Sequence, residues 1–221
     1  MEQKQLVLEE LLGNNSSDCS KFSIDWILNS RTTTEDMRSN YRFLNQIGLT
    51  NDKIASQAEL LGLHPDTIQR NYEALQKLGL TNDKIASQAQ LLGRDPDTIQ
   101  RNYEALQKFF TAEKINTYAF LLGIKPKTVE DNITFLTNIS IDYHIQPLLL
   151  GTNVKKKKDK LRQFFKIVFD EEVQEGNIEQ RARKFYSDHT DVNTITKTLV
   201  RSTAYHQRNK ETLRKIYNPA G

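Results

Sequence analysis

Residues 47–77 read IGLTNDKIASQAELLGLHPDTIQRNYEALQK, and residues 78–108 read LGLTNDKIASQAQLLGRDPDTIQRNYEALQK. The two 31-residue copies differ at four positions only: Ile47/Leu78, Glu59/Gln90, Leu63/Arg94 and His64/Asp95. A period of this size marks a stacked-repeat architecture, in which one unit cannot bury its apolar side without a neighbour.

The second copy shows what a unit contains. Thr81 can cap a first helix whose apolar residues Ile85, Ala89 and Leu92 fall at i, i+4 and i+7. Gly93 is expected to stop that helix by taking a left-handed backbone. Asp95 then caps a second helix that has Pro96 in its first position, where a missing N–H is harmless. The second helix is predicted to bury Ile99, Tyr103 and Leu106 and to leave Gln100, Arg101, Glu104 and Lys108 in water. The expected unit is a helix, a short turn and a helix.

Working outward, Thr33–Gln46 aligns one period earlier, with Met37, Tyr41 and Leu44 in place of Ile68, Tyr72 and Leu75. Ahead of it, residues 2–12 and Lys21–Asn29 read as capping helices; the second carries Phe22, Ile24, Trp26, Ile27 and Leu28. Phe109–Asn138 is a third recognisable unit. A looser fourth, 139–166, brings in Pro147, Gly151 and the run Lys155–Lys158. Beyond Ile167 the pattern weakens into a turn at Glu175–Asn177, a helix over Ile178–Tyr186, a loop over Ser187–Asp191 and one or two closing helices up to Tyr217. The predicted fold is all-α: a right-handed α-solenoid of tandem helix-turn-helix units, each of about 31 residues. The predicted organisation is a cap over 1–31, a repeat array over 32–165 and a basic helical segment over 166–221.

Composition narrows the function. One cysteine, Cys19, permits neither an internal disulfide nor a cysteine zinc site. No run is apolar for long enough to span a bilayer, so no membrane partner is expected. The start, MEQKQLVLEE, reads neither as a signal peptide nor as a transit peptide. The expectation is an intracellular, reducing compartment: cytoplasm or nucleoid, with nucleus or organelle as alternatives. His64, His144, His189 and His206 show no paired ligand spacing, and Asp188-His189-Thr190-Asp191 reads as a polar loop. No catalysis, metal or cofactor is expected.

Charge is unevenly placed. Residues 1–153 hold 15 Lys+Arg against 19 Asp+Glu, a net −4, and residues 154–221 hold 16 against 9, a net +7. The candidate phosphate contacts are therefore Lys155, Lys156, Lys157, Lys158, Lys160, Arg162, Arg181, Arg183, Lys184, Arg201 and Arg208, with Tyr186, Tyr205 and Tyr217 interleaved for base or sugar contact. Lys155–Lys158 would also serve as a localisation tag in a eukaryotic host. In the array, Arg70 and Arg101 recur on second helices, and Lys125 and Lys127 flank Pro126. Asp66 and Asp97 sit where a recognition helix would face phosphate, so engagement is expected to strengthen toward the C-terminus.

Ala89-x3-Gly93-x5-Ile99, repeated as Ala58/Gly62/Ile68 and Ala119/Gly123/Val129, matches a tandem helix-turn-helix array. The units of about thirty residues built on LGLT and LL, with Pro147-Leu148-Leu149-Leu150 ahead of a basic, leucine-spaced helix, resemble the repeats of mitochondrial transcription termination factors. The resemblance covers roughly residues 32–165. It departs from the family pattern at Gln57–Leu61 and Gln88–Leu92, which have no counterpart of the proline. It implies an α-solenoid that binds nucleic acid, double-stranded DNA ahead of RNA, along a basic groove and acts in transcription regulation. The alternative is a protein–protein scaffold whose acidic N-terminal segment docks a partner.

Overall fold

The computed structural model describes residues 2–144, 147–189 and 191–217. Ile145 and Gln146 of the fourth predicted unit, Thr190 of the predicted polar loop and residues 218–221 lie outside the described residues. The fold is all-α, with no strand among the described residues. Its α-helices are α1 (Glu2–Leu12), α2 (Lys21–Asn29), α3 (Thr34–Gln46), α4 (Asn51–Ser56), α5 (Pro65–Lys77), α6 (Asn82–Ser87), α7 (Pro96–Leu106), α8 (Ala112–Thr117), α9 (Pro126–Asn138), α10 (Val154–Phe169), α11 (Ile178–Asp188), α12 (Val192–Ile195), α13 (Thr203–Arg208) and α14 (Lys210–Tyr217). The chain divides into two compact units, 1–123 and 124–221.

In the first unit the predicted second helices form as expected. Thr33 and Asp36 make a reciprocal capping box at α3, Asp95 accepts from the Thr98 N–H at α7, and Pro65 and Pro96 occupy first turns. The predicted first helices do not run straight. Each α-helical piece ends after six residues, at Gln57, Gln88 or Tyr118, and the chain continues as the 3-10 turns Ala58–Gly62, Ala89–Gly93 and Ala119–Gly123. Burial explains the break. A straight helix holding Ile85, Ala89 and Leu92 inside would turn Leu91 away, yet Leu91 and Leu92 are both at 0% exposure. The tighter winding brings both leucines of the Leu-Leu-Gly run into the core.

The glycines divide their work differently from the sequence reading. Gly48 and Gly79, with φ of 99° and 87°, hold the left-handed positions. The following N–H groups of Leu49 and Leu80 reach back to Leu44 O and Leu75 O, closing α3 and α5. Gly62 and Gly93 do not have positive φ; they permit close approach. A Cβ on Gly93 would lie 3.4 Å from Leu60 Cδ2, and one on Gly62 would lie 2.5 Å from Trp26 Cζ3. Trp26 of α2 thus closes on the first 3-10 turn as Leu60 and Leu91 do on the next two. Phe22, however, is 75% exposed, so α2 covers the turn without burying its own aromatic edge.

A buried asparagine recurs in each second helix: Asn40, Asn71, Asn102 and Asn132. Asn40 Nδ2 donates to the carbonyls of Leu61 and Leu63 at 3.2 and 2.7 Å. Asn71 donates to Leu92 O at 2.6 Å, Asn102 to Leu122 O at 2.7 Å and, in the second unit, Asn132 to Leu150 O at 2.9 Å. Each side chain satisfies carbonyls that a 3-10 ending leaves without an intrahelical donor. The buried trio of α7 is accordingly Ile99, Asn102 and Leu106. Tyr103, expected in that stripe, is half-buried. Its counterparts Tyr41 and Tyr72 instead donate from their hydroxyls to Asn51 and Asn82 at 2.9 and 2.7 Å.

The second unit is organised on α10. Its inner face holds Leu161, Phe164 and Phe165 at 0% exposure. Phe164 meets Phe185 and Tyr217 edge-on, with ring centres 5.4 and 5.9 Å away. The closing region is more broken than the one or two helices expected: α12, a π-helical turn over Thr196–Val200, α13 and α14 follow one another. The π-helical turn, α13 and α14 pack on α10.

Candidate nucleic-acid interface

The second unit places the first turns of α9 and α10 on one cleft. It measures about 430 Å3 and is lined by Thr128, Asp131, Asn132 and Phe135 of α9, by Asn153 and Val154 at the start of α10, and by Glu179. Asn132 pins this arrangement by its bond to Leu150 O. Neither helix carries an acidic residue in its first turn. Exposed Lys125 and Lys127 stand at the start of α9, and exposed Lys155 and Lys156 at the start of α10. In the first unit the same position carries Asp66 on α5 and Asp97 on α7, which suits the positive end of a helix dipole. Lysines at that end oppose the dipole, at a cost of roughly 0.3–1 kcal/mol each. The same arrangement adds their charge to that of the helix starts and favours an anion there.

The lysine run does not act as one strip. Lys157 is at 0% exposure, with its amine donating to Asn132 Oδ1 and Thr152 O. Burial, reinforced by the nearby Lys160 charge, lowers that amine to about 7. Lys157 is therefore removed from the predicted phosphate contacts. The cause is helical geometry, because one residue in four of an exposed run must turn inward. Lys158 pairs with Glu179 at 2.7 Å, which together with the Asn138 amide holds that carboxyl below its usual range. Lys160 donates to Val200 O at 2.8 Å, and burial followed by the Lys156 charge lowers its amine.

The other candidates divide similarly. Arg162 is paired with Asp159. Arg181 grips both oxygens of Glu171 at 2.9 and 2.8 Å and lies 4.4 Å from the Phe165 ring centre, a structural use of the guanidinium. Arg183 donates to Asn138 O at 2.6 Å from an exposed position. Lys127 pairs with Asp131 at 2.7 Å but remains exposed. Lys184, Arg201 and Arg208 are exposed; Arg201 lies over the Tyr205 ring at 5.5 Å, and Arg208 reaches Ala204 O at 3.4 Å. Arg70 is exposed in the first unit, and Arg101 folds back on Asp97 O and Thr98 Oγ1 at 3.2 and 3.0 Å. Two of the three interleaved tyrosines are unavailable for stacking on bases. Tyr186 is at 0% exposure, bonded to Thr198 Oγ1, and Tyr217 is at 9%. Their rings are required by the core around α10.

Among the described residues, no group of three His, Cys, Asp or Glu side chains could hold a metal ion. No described helix is long and apolar enough to cross a membrane. A second surface feature lies in the first unit: a cleft of about 660 Å3 lined by Phe22, Trp26, Arg31, Gly62, Leu63 and His64, among others. Its aromatics, expected from the sequence to seal the end of a stack, instead edge an open cleft. No protein-family model matches the chain, and no curated protein matches it in sequence.

Proposed function

We propose that this chain is a nucleic-acid-binding protein of the right-handed α-solenoid type, similar to the repeats of mitochondrial transcription termination factors. It would grip the phosphate backbone of duplex DNA, ahead of RNA, in transcription or another DNA transaction. The observation that carries the reading is the change of sign at the helix starts, from Asp66 and Asp97 to Lys125, Lys127, Lys155 and Lys156. Lysines set against the dipole make poor structural sense and good sense for an anionic polymer. The working contact set is narrower than the sequence proposed: Lys125, Lys127, Lys155 and Lys156 in the centre, with Arg183, Lys184, Arg201 and Arg208 as outlying exposed cations. Binding of this kind positions the chain on nucleic acid without reading base sequence.

The test is a salt titration of binding to duplex DNA, RNA and an acidic protein control. Lys125, Lys155 and Lys156 replaced together by glutamine should lower the log–log salt slope for duplex DNA by about 0.9 per lost contact. Arg162→Gln, whose partner lies within the chain, should leave the slope unchanged. Absence of binding to DNA and RNA at low salt refutes the reading. A specific observation favours one alternative, the protein scaffold: Phe22 and Trp26 are open to solvent on a cleft of about 660 Å3 in the acidic part of the chain.

A further inference from the structure

His206 is at 0% exposure in the middle of α13, with its ring edge-on to Phe164 of α10 at 5.5 Å between centres. Its Nε2 lies 2.6 Å from Lys197 O in the π-helical turn. A carbonyl only accepts, so Nε2 carries the proton and Nδ1 is the bare acceptor of a neutral ring. That Nδ1 is buried and has no hydrogen-bond partner among the described residues.

A second proton would have to sit on Nδ1, where nothing accepts from it. The surrounding charges give no relief. Of the elements packed on or next to α13, α10 carries Lys156, Asp159 (held by Arg162), Lys160 and Lys166, α14 carries Lys210, Glu211, Arg214 and Lys215, the π-helical turn carries Lys197, and α13 itself carries Tyr205 and Arg208. Of these only Lys160 bears on the imidazole by its charge, and a cation there opposes imidazolium. Burial is the larger cause of the same effect, and the bond to Lys197 O opposes it only in part. The closed form therefore admits the neutral ring and resists the charged one.

We propose that His206 is an acid-sensitive latch: protonation at Nδ1 releases α13 and α14 from α10 and uncovers the aromatic face around Phe164. The direction follows from linkage. The histidine titrates at about 6.5 when released and lower when latched, so between those two values only the released form holds the extra proton. Latch stability is complete above about 6.5 and is lost as pH falls toward the latched value.

Hydrogen exchange of the full chain between pH 7.5 and 5, corrected for intrinsic rates, tests this. The opening equilibrium of residues 203–217 should rise by up to tenfold per pH unit below about 6.5. His206→Gln keeps a donor for Lys197 O and cannot titrate, so its profile should be flat whatever its absolute protection. An equal slope in that variant, or a flat wild-type profile, overturns the proposal. Opening of 203–217 only together with α9 does so too, since that would be unfolding of the whole unit. The NMR titration of His206 gives a check that needs no variant. An imidazole titrating at or above 6.5 in the folded chain overturns the latch, and one titrating below it supports it.

Discussion

Replacing Asn102 by alanine tests the asparagine ladder. The side chain is 7% exposed and donates to Leu122 O at 2.7 Å, so truncation strands a buried carbonyl and opens a small space between α7 and the turn Ala119–Gly123. An orphaned buried polar group costs about 1–3 kcal/mol, and about 2 kcal/mol is the central expectation here. With a urea dependence of roughly 2 kcal/mol per molar for a unit of this size, the midpoint should fall by about 1 M. The only tryptophan, Trp26, lies in the same unit, so its fluorescence follows the relevant transition. Asn102→Asp sharpens the test. At neutral pH it removes the donor and buries a carboxylate against a carbonyl, so it should be worse than alanine. Once protonated near pH 4 the acid can donate to Leu122 O, and part of the loss should return. Gln107→Ala, just beyond α7 and exposed, serves as the control. A midpoint for Asn102→Ala indistinguishable from that control would refute the idea that the ladder holds the turns in place.

Three further outcomes are expected. Gly62→Ala drives a methyl into the Trp26 ring and should cost on the order of 1–3 kcal/mol with a shift in Trp26 emission, whereas Gly93→Ala, at an ordinary 3.4 Å contact, should be close to neutral; equal effects would dismiss the close-packing role. For Lys157, folded at about 7 against 10.5 unfolded, the unfolded chain holds the extra proton between those values, so stability should increase from pH 7 to 10.5, by up to about 5 kcal/mol. Lys157→Met should lack that increase when the two are compared by circular dichroism in urea, and parallel profiles would place the amine in water. Deleting residues 78–108 joins Lys77 to Phe109 and presents Leu122 O to Asn71 at the chain separation now held by Asn102, so the shortened protein should still fold and melt cooperatively; a molten or aggregated product would mean the units are not interchangeable.

The sequence by itself determined the repeat, its register and most of its helix boundaries, because these depend on local chemistry. Thr33, Thr81 and Asp95 cap helices, Pro65, Pro96 and Pro126 open them, and Ile68, Ile99 and Val129 recur at one spacing. It also exposed the acidic segment 1–153 and the basic segment 154–221, since charge needs no fold to be counted. It was silent on the asparagines. A polar residue between apolar ones counts as solvent-facing until a neighbouring turn supplies carbonyls that lack donors, although the Asn-Tyr pair recurring at 40, 71 and 102 was a signal to be read. Tertiary structure alone decided that the first helices break at Gln57 and Gln88, because burying two consecutive leucines is a demand of the neighbouring unit and not of the helix. It likewise decided which cations remain for a ligand. Lys155 and Lys157 are the same residue two positions apart; one faces water and the other Asn132, because a helix turns its side chains through a hundred degrees per residue and only packing fixes which direction is inward.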